Sequence, residues 1–425
     1  MLFTTKKFTY LSIFILLCSN YFSSAQTGIW KELKPTNPPS PRLAFGMAEI
    51  AEDKVIIFGG DDGTNLLDDT WIYDYQTNSW DKVNTNIHPS KRFGHRLSKI
   101  IKNKVLLFGG WNPPMLLNDT WIFDLDSLSW TELKLNNIPT VRRNFGFAQL
   151  KENKILLFGG DALGYVNDTW IFNLEDSSWT LINSDYYSIP SPCEGVLMSQ
   201  IDTGKVILYG GWRFILLDET WLYDDNLNSW FQIIPKNNSI PIVNSSMARI
   251  TNNEVVYCGG DSRDSKGSGN YDELWLFNLI DSSWRIIQTS IKPDGRFSHN
   301  IVNFGNNRIL LFGGYNNTEY RWHNDSWLFT YQPNDKKDEE ILTSKDYSKS
   351  YIITDNIKLK IKFNGLGKFD YQFFDIFGNI ISKKENVIVE NSYLDVDVSS
   401  LLNGLYFFIT HQNNIVEVSK VLISR

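Results

Sequence analysis

The sequence predicts an all-β protein: a six-bladed β-propeller followed by a small C-terminal Ig-like β-sandwich. An apolar run that ends in Gly-Gly recurs six times, an acid-x-Trp motif follows each glycine pair, and a second Trp stands nine residues beyond the first five of these motifs. The glycine pairs begin 49 to 54 residues apart, at Gly59, Gly109, Gly159, Gly210, Gly259 and Gly313. A repeat of this length indicates one propeller blade per unit.

Each repeat is predicted to form four short strands, which in the first repeat span residues 43–50, 54–58, 70–74 and 79–83. β-branched and aromatic residues fill these runs, and Gly, Asn, Asp or Pro separates them. The second strand is apolar throughout, as expected for a strand buried on both faces. The glycine pair is predicted to end that strand, because a side chain there would collide with the next blade. One four-stranded sheet cannot bury both faces alone, so the six sheets are expected to pack side by side in a ring.

The ring is predicted to close with a strand from the N-terminal end of the chain. The sixth repeat lacks the second Trp, whereas Trp30 stands 12 residues before Arg42, a spacing that three other repeats keep between their second Trp and an Arg. We therefore expect residues 29–34 to complete the sixth blade and so remove an exposed strand edge. Deleting residues 26–36 should destabilise the whole ring, since losing the burial of Trp30 alone costs about 3–5 kcal/mol.

Residues 1–25 have the features of a secretory signal peptide. Lys6 and Lys7 precede a short apolar run, and Ser23-Ser24-Ala25 forms a small-residue cleavage site. The mature chain would then begin at Gln26. The alternative is a buried N-terminal strand or helix. No other segment is long enough to cross a membrane, so no transmembrane segment is expected after cleavage.

The charge and the cysteines exclude some classes of protein. The net charge is −7, and removing residues 1–25, which hold two Lys and no acid, changes it to −9. An acidic mature chain is a poor ligand for nucleic acid or an anionic membrane, so neither is expected as a partner. Only Cys193 and Cys258 remain after cleavage, too few for a disulfide framework, and we expect two unpaired thiols.

The C-terminal part of the chain is predicted to be a separate domain. Residues 333–350 are charged and polar and are typical of a linker. Alternating or apolar runs return over residues 351–425, with turn residues between them. This pattern indicates a small β-sandwich that is too short for further propeller blades.

The repeat resembles a known family. Gly-Gly after an apolar run, followed by two Trp at fixed spacing, resembles the kelch repeat of the galactose oxidase and kelch-like superfamily. The resemblance covers residues 29–332 of a propeller predicted over residues 26–332. It implies six blades, an N-terminal closing strand, and a ligand face built by the loops after the second strand and between the blades.

The C-terminal domain resembles the sorting domain of the type IX secretion system of Gram-negative bacteria. The matching pieces are short: residues 375–379 (DIFGN), 403–407 (NGLYF) and 420–422 (KVL). The resemblance implies that residues 351–425 engage the type IX machinery, and that the protein is extracellular or attached to the outer-membrane surface of a Gram-negative bacterium. The alternative is an ordinary Ig-like accessory domain.

Aromatic side chains on the loops above the ring predict a binding surface for a protein or a glycan. These loops also carry Pro113 and Met115. The alternative is that the aromatic residues pack locally and cap the ring. The candidate residues of this ligand-binding face, including two acids, are Trp111, Tyr165, Trp212, Phe214, Glu219, Glu273, Tyr315 and Trp322.

Four arginines share one repeat position, at the predicted start of the innermost strand near the channel mouth: Arg42, Arg92, Arg142 and Arg296. An acid stands two residues before each first Trp on the same face, so Arg–carboxylate pairs are feasible. Such pairs would form a structural ring or capture a ligand. Cys193 and Ile242 replace the Arg in the fourth and fifth repeats, so we expect any specific site to lie toward these two blades.

An enzymatic role is the alternative to binding. A copper oxidase of the galactose-oxidase kind needs two His, two Tyr and a cross-linked Cys, but His95 and His299 occupy matching repeat positions, which indicates repeat inheritance. Glu219 with Arg213, or Glu273 with Arg263, could imitate the acid and Arg of a sugar epimerase, although their spacing carries no specificity. We therefore expect no catalytic residue, metal or cofactor.

The sequence as a whole predicts a secreted or surface-attached, non-catalytic propeller that binds a protein or a glycan. A secreted carbohydrate-active enzyme, such as an epimerase or oxidase, is the second hypothesis. A purely structural surface protein is the third.

Overall fold

The structure, a computed structural model, divides the chain into two compact units, Met1–Asp335 and Lys336–Arg425. In the first unit it describes residues 27–183, 189–262 and 270–333. In the second it describes the strands whose bounds are given below. The predicted signal peptide, residues 334–349 of the predicted linker, and Arg263 lie outside the described residues.

The first unit is a six-bladed, all-β propeller, which confirms the predicted fold class. Each blade is an antiparallel sheet of four strands, and neighbouring innermost strands contact each other around the axis. An N-terminal strand, β1 (Thr27–Leu33), precedes the blades. Blade 1 comprises β2 (Gly46–Ala51), β3 (Lys54–Asp61), β4 (Leu66–Asp74) and β5 (Ser79–Val83). Blade 2 comprises β6 (Arg96–Ile101), β7 (Lys104–Asn112), β8 (Met115–Asp124) and β9 (Ser129–Leu133).

Blades 3 to 6 repeat this order from the axis outward. Blade 3 comprises β10 (Gly146–Lys151), β11 (Lys154–Asp161), β12 (Tyr165–Asn173) and β13 (Ser178–Ile182). Blade 4 comprises β14 (Leu197–Asp202), β15 (Lys205–Tyr209), β18 (Thr220–Asp224) and β19 (Ser229–Ile233), with the small hairpin β16 (Trp212–Arg213) and β17 (Ile215–Leu216). Blade 5 comprises β20 (Ser246–Thr251), β21 (Glu254–Cys258), β22 (Leu274–Asn278) and β23 (Ser283–Ile287). Blade 6 contains β24 (Asn300–Asn303), β25 (Arg308–Phe312) and β28 (Ser326–Gln332), with the hairpin β26 (Tyr315–Asn316) and β27 (Arg321–Trp322).

The N-terminal strand supplies the outer strand of blade 6. Strand β1 pairs antiparallel with β28, and Trp30 lies opposite Phe329. The two rings are 5.1 Å apart between centroids, and Trp30 is buried in the core between blades 5 and 6. The two ends of the propeller are thereby joined by backbone hydrogen bonds, which leaves blade 6 with the same four strands as the others.

The glycine pairs behave differently in the two halves of the ring. In blades 4, 5 and 6 the second strand ends before the pair, as predicted. In blades 1, 2 and 3 that prediction is wrong, because the strand continues through the pair with a bulge into a longer hairpin. Gly59 and Gly60 take positive φ angles of 64° and 102°. A Cβ on Gly59 would stand 2.9 Å from the carbonyl oxygen of Arg92 in the next blade, so only glycine permits this approach.

The outer Trp of each blade ties that blade to the one before it. Trp130 donates its indole N–H to the Thr70 hydroxyl of blade 1 at 2.9 Å, and Trp230 does the same to Thr169 of blade 3 at 2.9 Å. Trp179 and Trp284 repeat the contact at 3.2 Å. These rings lie in apolar clusters built from two neighbouring blades, so each blade buries its faces against its neighbours.

The second unit contains two sheets, compatible with the predicted small β-sandwich. The strands are β29 (Ser350–Ile353), β30 (Lys358–Lys362), β31 (Gly367–Phe374), β32 (Ile380–Val389), β33 (Tyr393–Asp397), β34 (Gly404–Gln412) and β35 (Ile415–Ile423). One sheet has the order β29-β35-β34-β31-β32, and β30 pairs with β33. Residues 420–422 lie in β35, whereas residues 375–379 lie outside the described part. Within the described residues, no helix has the length and hydropathy required to span a membrane.

Candidate ligand-binding face

The loops after the second strands and the connections between blades lie at one end of the propeller, which we call the loop face. At its centre, six backbone N–H groups each donate to the carbonyl of the neighbouring blade in a closed circle, at 2.7–3.2 Å. All six residues have positive φ angles between 51° and 67°. The members of this axial ring are Ala44, Gly94, Asn144, Gly195, Asn244 and Ser298. The ring joins all six blades at the loop-face end of the propeller axis, and its N–H and C=O groups are hydrogen-bonded to each other.

Four predicted arginines lie two residues before the axial ring and are buried in the blades. Arg42 donates from both terminal nitrogens to the Asp69 carboxylate, at 2.7 and 3.0 Å, and also to the Gly59 carbonyl at 3.0 Å. Its Nε donates to the Ser40 carbonyl at 3.1 Å. The same bidentate pairs are Arg92–Asp119, Arg142–Asp168 and Arg296–Asp325. The side chains therefore hold the loops in place rather than line the channel.

Each of these aspartates is stabilised in its charged form. Burial by itself would raise the pKa of Asp69, but the hydrogen bonds and charge of Arg42, with the indole N–H of Trp71, outweigh burial and lower that pKa. The indole nitrogen donates to the carboxylate at 2.7 Å. The pKa of Asp119, Asp168 and Asp325 is lowered for the same reasons. In these four blades the first Trp therefore stabilises the charged aspartate through an indole N–H hydrogen bond.

Blades 4 and 5 use other partners for the equivalent acid. In blade 4, Cys193 occupies the Arg position and is buried, and Glu219 accepts hydrogen bonds from the Ser191 hydroxyl at 2.5 Å and backbone N–H at 3.2 Å. In blade 5, Glu273 accepts from the Trp275 indole at 3.1 Å. Both carboxylates are half-buried.

The predicted aromatic residues of the loop face mostly pack against neighbours. Trp111 lies under the Arg143 guanidinium, whose carbon is 4.5 Å from the ring centre. Tyr315 and Trp322 contact each other with centroids 4.3 Å apart, and Tyr165 meets Phe214 edge to face at 5.4 Å. Of the six predicted aromatic residues, Phe214 is the exposed one, while Trp111, Tyr165, Trp212, Tyr315 and Trp322 are half-buried.

Other side chains at the loop tips are exposed and apolar. The sequence did not predict that most of them belong to the ligand-binding face. Leu163 is 88% exposed and Tyr320 is 78% exposed, next to Phe214 at 77%. These three residues also have positive φ angles of 66°, 53° and 62°. Met115 and Ile215 are each 66% exposed, at the tips of blades 2 and 4. These residues do not stand at a position that recurs in the repeats. Only the structure shows that all of them lie on the loop face, because it places each of them at a hairpin tip.

Three histidines of the propeller, His95, His299 and His323, are buried. The Gly46 N–H donates to Nε2 of His95 at 3.1 Å, which connects blades 1 and 2. Burial lowers the pKa of His95 well below its usual value, and burial with the Arg296 charge lowers the pKa of His299 to about 3. In the described part of the chain, no group of three His, Cys, Asp or Glu side chains is placed to hold a metal. Arg213 is exposed, and Glu219 is hydrogen-bonded to Ser191 and Trp221 instead.

Comparison with protein-family models agrees with this architecture. The KLHDC2/KLHL20/DRC7 kelch-repeats domain matches three overlapping stretches, residues 18–211, 77–260 and 185–349. The secretion system C-terminal sorting domain matches residues 354–424. The sorting domain marks a protein that is secreted or attached to the cell surface by the type IX system. The chain belongs to the kelch-repeat family and carries a C-terminal sorting domain behind its six-bladed propeller.

Proposed function

We propose that this chain is a non-catalytic binding propeller that docks a partner protein through its loop face. The observation that carries the proposal is a set of exposed apolar side chains at hairpin tips of the loop face. Met115, Leu163, Phe214 and Ile215 lie on the consecutive blades 2, 3 and 4, and Tyr320 lies on blade 6. Exposed apolar residues gathered on one surface are typical of protein interaction sites. The same side chains would gain burial from a partner without any rearrangement of the blades.

The backbone conformation of three of these residues supports a functional role. Leu163, Phe214 and Tyr320 adopt left-handed φ angles, which Gly or Asn tolerates far better than a bulky residue. Each position costs about 1 kcal/mol in this conformation. Leu163 and Tyr320 are more than three-quarters exposed, so burial in the fold does not account for bulky apolar residues at these strained positions, whereas binding would.

The support beneath the loops suits a preformed binding surface. The axial ring joins all six blades at the centre, and four bidentate Arg–Asp pairs fix the hairpins of blades 1, 2, 3 and 6. A rigid base lowers the entropy cost of association, because the loops lose little freedom on binding. Loops held by a rigid scaffold are a common place for recognition.

A protein partner is favoured over a glycan by the side chains that reach solvent. Glycan sites use flat aromatic faces, but here Trp111, Tyr315 and Trp322 lie against other side chains. The exposed tips include three aliphatic residues, Met115, Leu163 and Ile215. The region near Glu219 and Glu273, predicted as the centre of a specific site, adjoins the Phe214 tip and remains part of the proposed surface.

An enzymatic function has less support from the same geometry. The half-buried aspartates are engaged in ion pairs, and the lowered pKa of His95 and His299 keeps both imidazoles neutral near pH 7. Glu219 accepts from Ser191 and the Trp221 indole, so its carboxylate is occupied. The carbohydrate-active hypothesis is tested by assaying the purified chain for epimerisation of sialic acid and oxidation of galactose.

The test replaces the strained apolar tips with the residue that the backbone prefers. A Leu163→Asn, Phe214→Asn, Tyr320→Asn triple variant should keep or raise the melting temperature, because Asn accepts positive φ. The same variant should lose partner binding. Immobilised protein would be incubated with labelled surface proteins of the producing cells, the captured protein identified by mass spectrometry, purified and titrated.

The matched control is Leu128→Asn. Leu128 is also apolar, 49% exposed and at a positive φ of 50°, but it lies in a turn between the third and fourth strands, at the opposite end. This variant should gain stability and bind the partner like the wild type. Equal binding by the triple variant and the control would refute the loop-face proposal. Binding of all three proteins to a glycan array, without protein capture, would favour a glycan.

A further inference from the structure

The channel along the propeller axis contains a cavity that is separate from the loop face. Its volume is about 340 Å³, at the lower end of the range for small-molecule sites. The innermost strands line it, and no member of the axial ring is among the lining residues of the described chain. Glu49, Lys99, Gln149 and Gln200 belong both to this cavity and to a wider space beyond it, so the cavity opens at the end opposite the loop face.

The charge of the cavity lining is opposite to that of the protein. The lining includes Arg96, Lys99 and Arg249 but a single acid, Glu49, so it carries a net charge of +2. Lys99 donates to the Glu49 carboxylate at 2.9 Å, and this pair compensates itself. The positive excess therefore comes from two arginines, within a chain whose net charge is −7.

Arg96 is the deeper of these two arginines. Its Nε donates to the Phe145 carbonyl of blade 3 at 3.2 Å. Its two terminal nitrogens have no hydrogen bond or ion pair with any residue of the described chain, although a guanidinium has five donors. Burial lowers the pKa of Arg96 to about 10, so the group remains charged at neutral pH and lacks a counter-charge.

Two other arginines differ from Arg96 in their partners. Arg92, four residues earlier, uses all three nitrogens on Asp119, Gly109 and Ser90. Arg249, near the open end, has only neutral partners in the described residues, Gln200 at 3.3 Å, the Thr251 carbonyl at 3.3 Å and the Asn252 side chain. Arg96 and Arg249 are both half-buried, so each loses part of its hydration without gaining an anionic partner, and an anion in the cavity would offset that loss.

We propose that the axial cavity binds a small carboxylate or inorganic oxyanion, held by the terminal nitrogens of Arg96. Planar oxyanions match the fork of a guanidinium and accept two parallel hydrogen bonds. Arg249 near the open end draws anions toward the cavity, since basic groups in a narrow channel raise the local anion concentration. This site is distinct from the loop face, because the axial ring lies at the loop-face end and none of its members lines the cavity.

The experiment measures anion binding to the full chain by isothermal titration calorimetry and by thermal shift. Acetate, succinate and phosphate are titrated at constant ionic strength, with a bulky sulfonate as the anion too large for the cavity. The wild type should bind one equivalent and show a saturable rise in melting temperature, since a ligand of the native state stabilises it. Arg96→Gln should weaken binding about tenfold or more. Arg249→Gln should weaken binding less.

The matched control is Arg213→Gln, which removes an exposed arginine at the loop face and should leave anion binding unchanged. Equal affinity in the wild type and Arg96→Gln would overturn the proposal. If Arg96→Gln does not fold, a crystal of the wild type is soaked in bromide and the anomalous signal is measured. A peak beside the Arg96 guanidinium supports the proposed site. Bromide at surface positions alone overturns the proposal. The order of acetate, succinate and phosphate affinities tells a carboxylate ligand from an inorganic one.

Discussion

Blades 1, 2, 3 and 6 differ from blades 4 and 5 in the polar contacts beneath the loop face. The first four each bury an arginine in a bidentate pair with an aspartate. Blade 4 places Cys193 and blade 5 places Ile242 at that position, and both are buried. The acid in these two blades is a glutamate, which in blade 4 accepts hydrogen bonds from Ser191.

The difference shows that the ion pair is not what closes the ring. Gly195 and Asn244, which precede the inner strands of blades 4 and 5, join the axial ring like their four counterparts. The outer Trp230 and Trp284 of these blades also donate to the preceding blade. Backbone hydrogen bonds and aromatic packing therefore define the ring, and the Arg–Asp pairs add local stability to the hairpins above it.

The largest expected effect is acid destabilisation that originates in blades 1, 2, 3 and 6. Buried His95, His299 and His323 have a lowered pKa, about 3 for His299 and about 4 for His323, because burial disfavours their charged form. Their stabilising contribution is complete above pH 6.5 and is lost as the pH falls, since the unfolded chain then binds more protons. The paired aspartates, also with a lowered pKa, add a second loss below pH 3.8. Urea unfolding between pH 8 and about pH 2 measures both losses.

The control for the histidine part is His95→Phe. Phe45 and Phe145 occupy the same repeat position in blades 1 and 3, so a phenylalanine side chain fits at this position. This variant should lose less stability between pH 6.5 and pH 4 than the wild type. An identical pH profile would show that His95 is not protonated on unfolding in this range.

The second-largest effect is expected when the ion pair of blade 2 is removed, and it is compared with removal of the hydrogen bond that takes its place in blade 4. Arg92→Met removes the charge that pairs with Asp119 and should lower the free energy of unfolding by about 3–5 kcal/mol, because a partly buried carboxylate loses its partner. Ser191→Ala, the blade 4 counterpart, removes a hydroxyl donor from Glu219 and should cost about 1–3 kcal/mol. Equal losses in chemical unfolding would contradict the different roles of the two contacts.

The smallest effect is expected when blade 4 is given the contacts of blades 1 to 3. A Cys193→Arg, Glu219→Asp double variant should change the free energy of unfolding by about 1.5 kcal/mol or less. Ser191 and Gly210 stand where Ser40 and Gly59 accept from Arg42 in blade 1. Thermal and chemical unfolding would measure the change.

The control for this transplant is Cys193→Arg with Glu219→Leu, which buries the arginine without a carboxylate. It should cost about 3–5 kcal/mol. If the double variant is as unstable as this control, blade 4 differs from blades 1 to 3 in more than the residues at these two positions.

Much of the propeller could be predicted because its signals repeat. The six glycine pairs and the paired Trp residues follow from the steric demand of blade packing, which acts alike in every blade. The axial ring could not be predicted, because its members are of four residue types, Ala, Gly, Asn and Ser, and are joined through backbone atoms about 50 residues apart. The exposed Leu163 and Tyr320 also escaped prediction, since neither stands at a position that recurs in the repeats.

The sequence by itself determined the number of blades, the places of the buried Trp residues, and the pairing of each repeated Arg with an acid, because each depends on contacts that recur at a constant spacing. Only the tertiary structure decided which loop residues reach solvent and that Arg96 enters the axial cavity without a carboxylate beside it. These properties depend on side chains from different blades that meet around one axis. No single repeat contains that information, because the surroundings of a residue near the axis come from all six blades.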